Sequence, residues 1–383
     1  MITRIKSDRI LTPQGVAAGY VYFDEEKILQ VTNDNLPFDR EYNYTGCYVS
    51  PGFIDMHVHG GAGEDFCDSD AAGIARAANM HLRHGTTTIM PTVTSVTYDA
   101  ICRSLDTLRE SLASGSFLPR FGGVHLEGPY FSPEMCGAQN PDSLKDPDAD
   151  EYTKLIERYG DLIRRWSYAP ELDHGAQFAR YLSEHGVLPS MGHSAALYED
   201  CLAAYEAGCH LVTHLFSCTS TITRAGGFRR LGIIETAWLL DDLDAEIIAD
   251  GKHLPKDLIR MIVKIKGTDR VSLVTDAIRV AGSDQTEGDI GGVPFIVEDG
   301  VAKLHDRSAF AGSVATTDRL LRVCVKEAGL PVHDAVRMLT ANPARILGIN
   351  AGILEAGRLP DIVVFDDDIQ VEAVFAGGKP VCL

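Results

Sequence analysis

Paired cysteines are missing from this 383-residue chain: its nine cysteines are scattered, and none forms a CxxC pair. An odd, dispersed set of thiols does not build a disulfide framework and fits a reducing compartment. Long hydrophobic runs are missing too. No stretch approaches the ~18 consecutive apolar residues of a membrane span, so no membrane partner is expected. The opening segment MITRIKSDRILTPQG has no apolar core ahead of a small-residue cleavage site, so it does not read as a secretory signal. A cytoplasmic location is expected. Positive charge is scarce: 35 Lys and Arg face 54 Asp and Glu, a net charge of −19 with His neutral. Such a chain repels a polyphosphate backbone, and nucleic acid is not an expected partner. A small anionic ligand would need a local basic cluster. No phosphate-cradling GxGxxG or P-loop is present either; His59-Gly60-Gly61-Ala62-Gly63 is glycine-rich but matches neither.

What remains is ordinary globular composition, 45% apolar and 23% charged, which excludes a mainly disordered chain. The first fifty residues read as short strands at 3–10, 18–23 and 28–31. The C-terminal stretch reads the same way, with strands at 361–365 and 371–376. Neither end can bury a core alone, so residues 1–50 and 346–383 are expected to pair into one small β-sandwich domain. Between 51 and 345 apolar strand-like runs alternate with helical stretches such as 70–84, 98–114, 177–185 and 197–207. Strands are expected at 52–59, 87–92, 122–127, 166–169, 188–192, 211–214, 246–249 and 271–275. This α/β alternation predicts a (β/α)8 TIM barrel. The rival, a doubly wound open sheet, would carry a phosphate loop after its first strand.

In a barrel, chemistry sits at the C-terminal ends of the strands. The first strand ends in His57-Val58-His59, and side chains two apart on a strand face one way. The third ends at Glu127, the fifth leads to His193, the sixth to His214, and the eighth to Asp276. One histidine at a strand end is usually a structural residue. Four imidazoles and two carboxylates at matching ends are costly to desolvate unless they bind something. Imidazole with carboxylate suits Zn²⁺ or Fe²⁺, whereas a thiolate site would have drawn in cysteine.

PGFIDMHVHG, GVHLEGPYFSP, MGHSAALYED, VTHLF, ADGKH and VTDAI, in that order and spacing, resemble the N-acetylglucosamine-6-phosphate deacetylase family of the amidohydrolase superfamily. The likeness runs over nearly the whole chain, including GILEAGRLPDIVVFDDD near its end. The resemblance implies a hydrolase of cytoplasmic amino-sugar catabolism that is a homodimer. It makes Glu127, His193 and His214 the ligands of a main divalent metal, with His57 and His59 able to complete a second site. Superfamily members that bridge two metals through a carboxylated Lys carry it on the fourth strand; RRWSYAP has none, which agrees with Glu127 as the metal carboxylate. Asp276 matches the family's general base. As such it would take a proton from the attacking water and return it to the leaving sugar nitrogen; its other reading is a carboxylate that orients a ligand imidazole. His253 and Arg224 become contacts to the sugar phosphate, with Arg224 reaching across a dimer interface. TITRAGGFRRLG also holds Arg229 and Arg230, and such a cluster alone would read as a solvated face.

Two departures bear on the substrate. The family follows its THLF or THLY with Asn-Ala-Met, which helps to hold the phosphate, but here Ser217-Cys218-Thr219 follows. The family's His before Asn-Pro, which polarises the acetyl carbonyl, is Gln139 here. A neutral amide still donates to an oxyanion but cannot become cationic. Residues 144–155 are highly charged and receive no role. The expected substrate is N-acetylglucosamine 6-phosphate. The alternatives are another N-acyl amino sugar, a non-phosphorylated one, or an inactive ligand-binding barrel.

Overall fold

The computed structural model describes residues 1–382. Eight strands, Phe53–Val58, Thr86–Val93, Val124–Glu127, Ile163–Tyr168, Leu188–Met191, Leu211–Val212, Asp244–Ile248 and Val271–Val274, pair in parallel with their neighbours. The ring closes where the first strand meets the segment after the eighth. Val58 bridges Ala277, Asp276 donates its N–H to His57 O at 2.9 Å, and His59 N–H reaches Ala277 O at 2.8 Å. This is the expected TIM barrel.

Local chemistry sets the crossover helices. Ala71–Arg83 starts where the Asp70 carboxylate accepts from Gly73 N–H, and Tyr98–Ala113 where Thr97 caps Ala100. Asp148 caps Ala149–Tyr159, which takes up part of the charged stretch 144–155 as the third crossover. Strand limits shift for physical reasons. The sixth strand stops at Val212 and not at the expected 214, because the backbone turns left-handed at His214 (φ 28°). The fourth begins at Ile163 and not at 166; the charged Arg165 hid a strand position that faces the barrel interior.

That interior is polar beneath the strand ends. Arg165 and Glu246 are both fully buried and form a two-point ion pair, Nη2 to Oε2 at 2.7 Å and Nη1 to Oε1. The remaining guanidinium donors go to Ser190 Oγ at 3.0 Å, Met56 O at 3.1 Å and Thr213 Oγ1 at 2.9 Å. Removing one partner strands the other charge in the core. Glu246→Ala should therefore lower stability by about 3–5 kcal/mol, read from the urea midpoint. A change under about 1 kcal/mol would mean that Arg165 escapes to water.

The chain ends build one eight-stranded sheet, in which Ile362–Phe365 from the C-terminal side pairs antiparallel with Tyr48–Pro51. Phe23 and Phe375, far apart in the strand order, meet edge to face at 5.6 Å, and Tyr42 reaches Phe375 at 5.1 Å. The sheet therefore folds over its own core of Ile5, Val21, Phe23, Val49 and Val364, a small sandwich.

Sequence reading missed a three-stranded antiparallel sheet after the barrel, Glu287–Ile290, Val293–Glu298 and Val301–Leu304. Its turns are Gly291-Gly292 and Asp299-Gly300, with φ of 56°, 83°, 55° and 76°. Two positive φ values in a two-residue turn are the tight-hairpin signature, so the signal was present.

Candidate active site

His57, Glu127, His193, His214 and Asp276 lie at or just past the ends of five different barrel strands, with His59 beside them. His193, His214 and Asp276 adopt φ of 46°, 28° and 48°. A left-handed non-glycine backbone costs about 1–3 kcal/mol and gathers at functional sites. Here the strain turns each side chain in over the barrel mouth.

Glu127 is the hub. Its Oε1 lies 3.0 Å from His214 Nε2 and 3.3 Å from both His193 Nε2 and His57 Nε2. Its Oε2 lies 3.2 Å from His59 Nε2. Asp276 Oδ1 stands 3.4 Å from His57 Nε2 and 3.2 Å from His59 Nε2. All are buried.

The ring orientations test whether a metal fits. His193 Nδ1 faces Met135 O at 3.0 Å, and His214 Nδ1 faces Ser217 O at 3.0 Å. A carbonyl only accepts, so each Nδ1 carries the proton and each Nε2 is left to face Glu127. Two ring nitrogens and a carboxylate oxygen converging on one point match the coordination needs of a divalent cation. His57, Glu127 and His214 form one group whose ligand atoms lie within 4.8 Å of each other, and His57, His59 and Asp276 form a second. The donors fit one ion or two.

The two carboxylates make this a cation-attracting site. Burial opposes a charged imidazole, yet Glu127 and Asp276 outweigh it, lifting His57 to about 9 and His59 to about 10. His214 moves the other way, below the usual imidazole range, chiefly through burial. Burial alone would raise Glu127 and Asp276. The facing imidazoles win, and both carboxyls sit below their usual range.

The cavity over this cluster measures about 240 Å³. Of the residues singled out in the sequence, His59, Glu127, Gln139, His193, His214, Ser217, Cys218, His253 and Asp276 line it. His57 sits beneath, with no exposure. His253 is fixed by its Nδ1 on Asp250 Oδ2 at 2.9 Å, leaving Nε2 as its free nitrogen. Arg224 is not brought there. It lies on an exposed hairpin, Thr223–Ala225 with Phe228–Arg230, turned through Gly226-Gly227. Sequence reading also missed the apolar wall from the inserted segment, Ile290 and Phe310; the Phe310 ring packs against His253 at 5.0 Å.

A larger cleft of about 510 Å³ lies beside Pro51 and Asp269, just ahead of the first and eighth strands and so at the barrel's other face. Its arginines are taken, Arg337 by Asp269 and Arg345 by Asp244. No free polar group converges there, and that face of a barrel serves stability.

A strained ring of imidazoles and carboxylates at the mouth of a TIM barrel, flanked by a small sandwich, defines the class: the chain belongs to the amidohydrolase family, whose model matches residues 48–381. It is 31% identical to the N-acetylglucosamine-6-phosphate deacetylase of Lysinibacillus sphaericus, over 88% of this chain and 86% of that protein. It is 30% identical to the N-acetylgalactosamine-6-phosphate deacetylase of Escherichia coli O157:H7, over 86% and 87%. The solved N-acetyl-D-glucosamine-6-phosphate deacetylase of Mycobacterium smegmatis, in complex with N-acetyl-D-glucosamine-6-phosphate, superposes with a TM-score of 0.92 at 31% identity, over the full length of both chains.

Proposed function

We propose that this chain hydrolyses the N-acetyl amide of N-acetylglucosamine 6-phosphate to glucosamine 6-phosphate and acetate. The observation that carries this reading is the convergence of His193, His214 and the Glu127 carboxylate within 3.3 Å, with Asp276 across the same cavity, in a chain similar over its length to such deacetylases.

An amide resists water because its carbonyl is weakly electrophilic and its nitrogen leaves poorly. Glu127, His193 and His214 would hold a divalent ion, Zn²⁺ or Fe²⁺, which would supply Lewis acidity. His57 and His59, with Asp276, offer room for a second. Asp276 stays ionised beside the two imidazoles and accepts the proton of the attacking water. It then protonates the sugar nitrogen as the C–N bond breaks. Gln139 presents an amide N–H on the acetyl side, and His253 offers Nε2 to the sugar. Ile290 and Phe310 supply the apolar wall that keeps bulk water from the reacting carbon.

The phosphate needs close donors, because a chain at −19 repels a dianion. Ser217 and Cys218 line the cavity, but no Arg or Lys does. The hairpin carrying Arg224, Arg229 and Arg230 points outward, with Phe228 78% exposed. A homodimer that sets this hairpin over the partner's cavity would supply the missing cation and cover the ring. The nine scattered cysteines suit a cytoplasmic enzyme.

Acetate release from a panel of N-acetyl sugars, with and without 6-phosphate, tests the assignment. A charge-assisted contact contributes ~1.5–3 kcal/mol, so the phosphorylated sugar should lead by at least roughly tenfold in kcat/KM. Arg224→Ala should narrow that lead by slowing the phosphorylated substrate. Heterodimers of Arg224→Ala and Asp276→Asn chains should regain activity, since one cavity would then be complete. Equal rates on both sugars would remove the phosphate from the assignment, with Ser217-Cys218-Thr219 the reason. The galactosamine epimer belongs in the panel, because the 30% match to a deacetylase of that sugar nearly equals the 31% match above.

A further inference from the structure

Gln139 is 5% exposed and does more than face substrate. Its carbonyl oxygen accepts two hydrogen bonds, from Thr94 Oγ1 and from the Ser95 backbone N–H, each at 2.9 Å. A backbone N–H can only donate, so the atom opposite Ser95 has to be the carbonyl oxygen. The amide is thereby locked one way round. Nε2 turns toward Glu127 and donates to Oε2 at 2.7 Å.

This lock makes the two oxygens of Glu127 unequal. Oε1 faces His193 and His214, whose rings are fixed from behind by backbone carbonyls, and also His57 Nε2 at 3.3 Å. Oε2 is engaged by the amide and lies 3.2 Å from His59 Nε2. A carboxylate at the end of a flexible side chain would otherwise be free to turn Oε1 away from the His193 and His214 rings. Hydrogen-bonded outer partners set both the orientation of a ligand carboxylate and the affinity of its site.

We infer that Gln139 is a positioning residue for Glu127, holding Oε2 so that Oε1 stays turned toward His193 and His214, and that this tightens the first metal equivalent more than the second. The inference rests on Glu127 as the metal carboxylate. It is separate from any contact that the second Nε2–H makes with the acetyl group, since a pure substrate contact leaves metal affinity untouched.

The test is titration of chelator-stripped, full-length protein with Zn²⁺ against a chromophoric competitor, with the Tm of each metal-free variant recorded alongside. Gln139→Ala should weaken the first equivalent by roughly 10- to 100-fold, with the second changed less, so that the gap between them narrows. Thr94→Val keeps the Ser95 contact, and Thr94 does not line the cavity. It should weaken the first equivalent by roughly 2- to 10-fold, the span of one neutral hydrogen bond, with the metal-free Tm close to wild type. Should Gln139→Ala not fold, Thr94→Val decides alone. Unchanged first-equivalent affinity in the folded variants, or a fall in kcat alone, overturns the inference. Glu127→Gln distinguishes the two levels: if it too keeps its metal, the ligand reading itself fails, and if it loses the metal while Gln139→Ala does not, only the positioning role falls.

Discussion

His193→Ala and His214→Ala are each expected to give folded protein that has lost its metal and its turnover together. Both side chains end barrel strands and project over the mouth, so neither holds the barrel's apolar packing. Their outer nitrogens are already spent on Met135 O and Ser217 O, so removing either ring deletes a pre-oriented donor of the site. Lewis-acid assistance is worth several kcal/mol, and ~1.4 kcal/mol is one decade in rate. Turnover should therefore fall by roughly 10³-fold or more. Elemental analysis of purified protein, paired with acetate release, reads both quantities. Full activity in a chelated, metal-free preparation would end the mechanism proposed above.

Asp276→Asn keeps the shape of the side chain and removes its capacity to take a proton. Turnover should drop by roughly 10²–10⁴ with one equivalent of metal retained, since His193, His214 and Glu127 are untouched. The structure sharpens this expectation. Asp276 shares a four-ångström neighbourhood with His57 and His59, so any second equivalent should weaken while the first holds. Loss of the first equivalent as well would assign Asp276 to architecture. Retention of near-normal turnover would move the base elsewhere, and no other carboxylate besides Glu127 lines the cavity.

The barrel was legible because parallel strands buried on both faces read as apolar runs, each closed by a polar residue at its working end. Leu211-Val212-Thr213-His214 and Val274-Thr275-Asp276 are of that kind. The histidines stood out by place. Their mutual distances did not, because those depend on left-handed turns at His193, His214 and Asp276, and a sequence pattern carries no φ. Arg165 and Glu246 escaped for the opposite reason: charge inside a strand argues against burial, and it is their two-point pairing, with the Ser190, Thr213 and Met56 contacts, that makes the interior tolerate both. The inserted sheet around Phe310 was readable from its Gly291-Gly292 and Asp299-Gly300 turns. Gln139 was visible as a candidate, but its neighbour Thr94 lies 45 positions away in sequence, and no local pattern joins them.

The small sandwich constrains the order in which this protein can be made. Tyr48–Pro51 emerges from the ribosome before any barrel strand, yet its partner Ile362–Phe365 is translated after all of them. Through most of synthesis that strand presents an open edge, a ready template for pairing with another nascent chain. The last strands close that edge, and their Val363 and Phe365 join the core shared with the barrel in the same step. Interruption of translation shortly before Ile362 would leave this edge open and the shared core short of Val363 and Phe365.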